Sequence, residues 1–168
     1  MLLRLFCSIC ILSLPAAAQE PARIGQTFGQ WTVSCEAIGV GRTSCILEQS
    51  LYRREDGAFV AQALLFWNAD GQQSFVGMRV PLGAYLPAGA EMRAAAEEEP
   101  MRLAWQTCVQ QFCEAVQVLG LDRIEALAQG DAEMLGGYQP AIGRDPIVFA
   151  FSMAGAFEGM QALRPGTR

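Results

Sequence analysis

The chain of 168 residues contains no histidine and no lysine. The missing histidine removes the usual general base for a serine or cysteine nucleophile. It also removes the commonest zinc and iron ligand. Any catalysis would have to run on carboxylates, thiols or tyrosine. The missing lysine leaves arginine as the only cationic side chain, 12 against 17 Asp and Glu. An acidic chain with no basic patch has no electrostatic attraction for DNA, RNA or anionic lipid. Neither a cofactor motif nor a metal-ligand set stands out, so none is expected. The single charge run, Glu97-Glu98-Glu99 before Pro100, reads as a solvated turn, because a calcium loop needs spaced ligands. Internal repeats, linkers and low-complexity tracts are also missing.

The chain does have a short apolar run behind a positive charge. Arg4 precedes residues 5–14, which include Phe6, Ile9, Ile11 and Leu12; Pro15 and Ala16-Ala17-Ala18 follow. A charged start, a short apolar core and a small-residue exit make a secretory signal peptide. The run falls short of the ~20 apolar residues that a bilayer span requires. Cleavage after Ala18 would leave Gln19 first and remove Cys7 and Cys10. The mature chain then carries 11 arginines against 17 acidic residues, a formal net charge of −6. Residues 19–168 have the size of one domain.

Hydrophobic patterning predicts strands. Residues 30–36 (QWTVSCE) alternate, with Trp31, Val33 and Cys35 on one side. Residues 44–50 follow, then 58–68 (AFVAQALLFWN), apolar on both faces as in a strand covered twice. A turn at Asn68-Ala69-Asp70-Gly71 leads into residues 73–80. Further strands fit residues 90–94, 101–106, 114–119 and 146–152. Residues 121–129 have helical spacing, with Gly130 as a stop signal, and residues 156–163 are a second helix candidate. The fold class is therefore all-β: a β-sandwich of about eight short antiparallel strands with one or two short helices.

Four cysteines remain in the mature chain: Cys35, Cys45, Cys108 and Cys113. Proximity favours Cys35–Cys45 and Cys108–Cys113 among the three possible pairings. Redox catalysis by the second pair would want two intervening residues at a helix start, not four between strands. Structural disulfides that stabilise the sandwich are the better reading for an exported chain. Trp31 shares a strand face with Cys35 and is expected in the core.

Several segments together resemble one family. Residues 31–35 (WTVSC) with Cys45, residues 80–89 (VPLGAYLPAG), residues 103–115 (LAWQTCVQQFCEA) and residues 151–157 (FSMAGAF) are similar, in order and spacing, to motifs of the invasion-associated locus B family. The chain departs from that pattern in having Gln111-Phe112 before Cys113, where a glycine is expected. The resemblance implies an all-β protein of the Gram-negative envelope, periplasmic or secreted, with a host-interaction role in some members. It implies no catalytic residue.

These features point to a non-enzymatic envelope binding module. Its partner would be an envelope or host protein or a glycan. A recognition surface is expected at Leu82, Tyr85 and Leu86, in a stretch too rich in Pro and Gly for a strand, and at Val109 and Phe112 in the stapled loop. The competing expectation is that Leu82, Leu86 and Phe112 close the end of the core. The functional alternatives are a carboxylate enzyme, such as a glycan hydrolase drawing on Glu36, Glu48, Glu91, Glu114, Asp122 and Asp145, or a purely structural envelope protein.

Overall fold

The computed structural model describes residues 22–165 apart from positions 41, 96, 98, 110 and 131, and leaves out the side chain at 38. The expected signal peptide and the new N-terminus at Gln19 lie outside the described residues. In chain order these residues form β1 (Thr27–Phe28), β2 (Trp31–Gly39), β3 (Arg42–Tyr52), β4 (Phe59–Trp67), β5 (Ser74–Pro81), β6 (Ala90–Ala94), β7 (Met101–Val109), β8 (Phe112–Val118), α1 (Leu121–Gln129), β9 (Glu133–Tyr138), β10 (Ile147–Ser152) and α2 (Ala156–Leu163). The fold is all-β with two short helices, as the patterning predicts, but it has ten strands where eight were expected.

The two additional strands are β1 and β9. Strand β1 has two residues, too few for a periodic signal. Strand β9 reads EMLGGY, and paired glycines weaken a strand pattern. Its register explains the first: Gly136 lies opposite Phe149, and a Cβ there would run into the Phe149 ring. The glycine makes room for the aromatic of the neighbouring strand.

All pairings are antiparallel, in the order β1-β2-β3-β4-β5-β8-β7-β6-β9-β10. Strand β7 belongs to both layers. Residues Met101 to Leu103 pair with β6, whereas Ala104 to Val109 pair with β8, with a register shift between Trp105 and Thr107. A bulge bends and twists a strand, and a strand that changes sheets forms the corner of a sandwich.

The core lies between the layers. Trp31, Val33, Leu47, Ala61, Ala63, Leu65, Val76, Met78 and Val80 line the inner face of the larger layer, and all are essentially inaccessible. Met92, Met134, Phe149 and Phe151 face them from the smaller layer, with Ile124 of α1 and Met160 of α2. Each large side chain so buried contributes roughly 1.5–3 kcal/mol before entropy is charged against it. Trp31 meets Phe151 edge-on, with centroids 6.0 Å apart, and its Nε1–H donates to the Ser152 carbonyl (3.0 Å). Trp67 Nε1–H donates to the Met160 carbonyl (2.7 Å), which ties β4 to α2. Among the described residues no buried side-chain nitrogen or oxygen lacks a hydrogen-bond partner.

Both helices occupy their expected spans. Helix α2 starts from Gly155, whose φ of 82° is left-handed. A Cβ on Gly155 would strike the backbone of Phe28, and one on Gly29 would strike that of Ala154. Two glycines thus let the turn after β1 lie directly on the helix start.

Candidate functional site

The strand axis gives the molecule two unlike ends. At one end sit the β4–β5 turn and both helices. Asn68 Oδ1 accepts from the backbone N–H of Gln72 and Gln73, Ser74 Oγ donates to the Leu119 carbonyl (2.6 Å), and the Arg164 guanidinium lies over Trp67. Cys35 and Cys45 are directly opposed in β2 and β3 and form a disulfide toward this end. Among the described residues the other end has no α-helix, only a single 3-10 turn at Leu86–Ala88. Cys108 and Cys113 are directly opposed in β7 and β8 and are likewise bonded.

The segment after β5 crosses this second end. Leu82 N–H donates to the Gln111 carbonyl (3.4 Å), so the segment is held against the stapled hairpin. Phe112 pairs with Val109 on one side and Pro81 on the other. The Trp105 indole donates to the Leu86 carbonyl (3.1 Å), and Tyr85 N–H donates to the Gln139 carbonyl (2.8 Å). Three of the five side chains expected at a recognition surface stand in solvent: Leu82 at 51 %, Leu86 at 37 % and Val109 at 44 % exposure. Leu82 and Leu86 therefore do not close the core. Tyr85 and Phe112 are half-buried, and Phe112 lies beneath the Arg79 guanidinium (4.6 Å) on the outer side of the large layer.

Sequence reasoning missed two further aromatics at this end. Tyr52 (61 % exposed) and Phe59 flank the β3–β4 turn and meet edge-on at 5.9 Å. Phe59 shares a cleft of about 160 Å³ with Arg53, Pro81, Leu82, Tyr138 and Ile147. Aromatics on both sides of a hairpin turn were the available signal. Tyr138 forms the floor, its hydroxyl donating to the Val60 carbonyl (3.1 Å). Burial raises the Tyr138 phenol above its ordinary value, partly offset by the positive charge of Arg53.

The carboxylate pool is scattered. Glu91 pairs with Arg102 (3.2 Å), Asp122 is exposed in the first turn of α1, and Asp145 is exposed before β10. Glu48 faces outward from β3, opposite Thr32 and Leu64. Glu114 and Glu36 meet, and they meet on Arg79, at 2.8 and 3.9 Å. Arg79 also donates to Gln62 Oε1 (3.4 Å). The guanidinium thus engages both carboxylates, whereas hydrolysis needs a sugar ring between them. The outer cleft here, about 170 Å³, is lined by Ile46, Leu64 and Phe66 beside these charges. Strand β4 is apolar on both faces for this reason: Leu64 is buried on the outer side, and Phe66 stacks on Phe75 at 5.3 Å. Among the described residues no three His, Cys, Asp or Glu gather as metal ligands.

The solved structures include a similar chain. The crystal structure of invasion associated protein B from Bartonella henselae aligns with a TM-score of 0.62 at 19 % identity, covering 82 % of this chain and 94 % of that one. At that identity the likeness concerns the fold. No curated protein matches the chain. Residues 31–164 match the family described as "Invasion associated locus B (IalB) protein", a span that holds both disulfides, the crossing segment and α2. By this match over most of its length, the chain belongs to the invasion associated locus B family.

Proposed function

We propose that the protein is a non-enzymatic binding module of the bacterial envelope, periplasmic or secreted, which holds its partner on the end opposite the two α-helices. The observation that carries this reading is the exposed apolar cluster of Leu82, Leu86 and Val109 beside Tyr52 and Phe59. Apolar side chains in contact with water favour a partner that covers them. The Cys108–Cys113 bond and the hydrogen bonds from Leu82 and Tyr85 hold the segment in place, so little chain entropy is lost on binding. The partner is a protein or glycan of the envelope or of a host surface. Two paired disulfides suit an oxidising compartment. No helix among the described residues is long and apolar enough to cross a membrane. The carboxylate-enzyme reading is weaker, because the two acids that meet are both engaged by Arg79.

Affinity capture from native envelope and from host-cell surfaces tests the proposal, using the mature oxidised protein beside a Leu82→Ala, Leu86→Ala, Val109→Ala variant. The variant should fold with an unchanged Tm and lose at least about tenfold in affinity for whatever the parent retains. Equal capture by both proteins would sink the assignment to this end.

A further inference from the structure

The last strand, β10, forms one edge of the sheet order, and its backbone parity can be read from its neighbours. Met153 N–H donates to the Ala132 carbonyl (3.0 Å), so residues 147, 149, 151 and 153 turn their backbone groups toward β9. Ser152 turns the other way: its N–H donates to Gln49 Oε1 (3.1 Å), and its carbonyl accepts from Trp31 Nε1 (3.0 Å) and Gln49 Nε2 (3.3 Å). Val148 and Ala150 share the parity of Ser152. Their N–H and C=O groups therefore point outward from the sheet, and among the described residues nothing receives them.

Proteins guard such edges with charges, prolines, bulges or very short strands. The opposite edge, β1, has only two residues. Strand β10 reads IVFAFS, with no charge, proline or glycine. Val148 is 66 % exposed and Ala150 is exposed beside it, while Phe149 and Phe151 lock the strand into the core. The open stretch is short and closed on both sides. Pro146 has no N–H to offer before it, and Ser152 is already occupied after it.

From these features we infer that β10 is the contact through which two copies of this chain pair, antiparallel, about a two-fold axis at Phe149. In that register Val148 of each copy lies opposite Ala150 of the other, and the four outward N–H and C=O pairs satisfy one another. Large stands against small on both sides of the axis. Pro146 of one copy falls opposite Ser152 of the other, so the position without a donor meets the carbonyl that already has two. The open stretch is thus complementary to itself at its centre and at its limits, as an isologous interface requires. Strand β10 carries no charged side chain, so pairing there sets no like charges directly opposite one another. This inference does not depend on the apolar end as a partner site.

Sedimentation of the mature oxidised protein over a wide concentration range, followed by amide hydrogen exchange, tests it. The parent should pass from monomer to dimer as concentration rises. Exchange at the Val148 and Ala150 amides should slow with it, whereas amides 149 and 151, already bonded to β9, should not respond. Val148→Arg should weaken dimerisation by about tenfold or more at unchanged Tm. Val40→Arg, the same added charge on a fully exposed turn, should dimerise as the parent does. A chain that stays monomeric into the millimolar range overturns the proposal and leaves the edge to an extended segment of another protein. A dimer in which Val148 and Ala150 exchange freely, or one untouched by Val148→Arg, overturns it by placing the contact elsewhere.

Discussion

The two ends of the sandwich use similar residues for opposite purposes. Each has one disulfide between directly opposed strands, and each is rich in aromatics. At the helical end the apolar groups are roofed: Trp67 is bonded to Met160 and covered by Arg164, and Ile124 and Met160 are sealed in. At the other end Tyr52, Leu82 and Val109 stand in water although their backbone is as firmly held. The difference is not composition but what the chain lays on top, helices in one case and a Pro- and Gly-rich crossing segment in the other. Rigidity without a roof is what distinguishes a presented surface from a core.

The largest expected effect falls at the roofed end. Trp67→Ala removes a buried ring and leaves the Met160 carbonyl unpaired, so denaturant unfolding should show a loss of about 3–5 kcal/mol. A loss below about 1 kcal/mol would mean that the helices do not seal this end. The disulfides come next. Replacing either pair by serine should cost about 2–3 kcal/mol, slightly more for Cys35–Cys45, which closes the longer loop. Neither replacement should change any thiol–disulfide activity measured on the oxidised parent. A redox defect confined to the Cys108, Cys113 variant would make the second bond catalytic.

A smaller effect, with its own pH signature, is expected at Tyr138. Its phenol ionises less readily in the fold than in the unfolded chain. Above about pH 10 the unfolded chain loses this proton first, so stability falls as pH rises from there and continues to fall until the folded phenol also ionises. Tyr138→Phe should cost about 1 kcal/mol at neutral pH through the lost bond to Val60, and should flatten the alkaline decline. Urea unfolding at neutral and alkaline pH separates the two. The smallest effect belongs to the unroofed end: Leu82→Ala and Leu86→Ala should each shift stability by less than about 0.5 kcal/mol. A shift of several times that would return these residues to the core.

Local signals were legible in the sequence, and long-range ones were not. The span of α1 could be read from apolar spacing, with α2 only a second candidate, and the two disulfides from cysteine proximity. The shared face of Trp31 and Cys35 followed from alternation, but the partners of Trp31, Phe151 and Ser152, lie some 120 residues on. Strand β9 escaped notice because of its paired glycines, one of which, Gly136, makes room for Phe149 in another strand. At the candidate site the residues allowed two readings of Leu82 and Leu86, exposure or closure of the core end, and alternation alone could not choose between them. Tyr52, Phe59 and the bridging role of Arg79 were not foreseen, because each depends on which strands become neighbours.

The pairing of the cysteines also bears on how such a chain would be made. Each bond joins cysteines that are consecutive in the sequence, 10 and 5 residues apart. A chain threaded out of the cytoplasm from its N-terminus presents Cys35 and then Cys45 to an oxidant before Cys108 appears. Pairing in order of emergence is the native pairing, so no wrong bond has to be undone. Trp31 must wait for Ser152, whose carbonyl arrives 121 residues later. If the chain is exported in this way, oxidation can run ahead of that contact, which forms only after nearly the whole polypeptide has crossed.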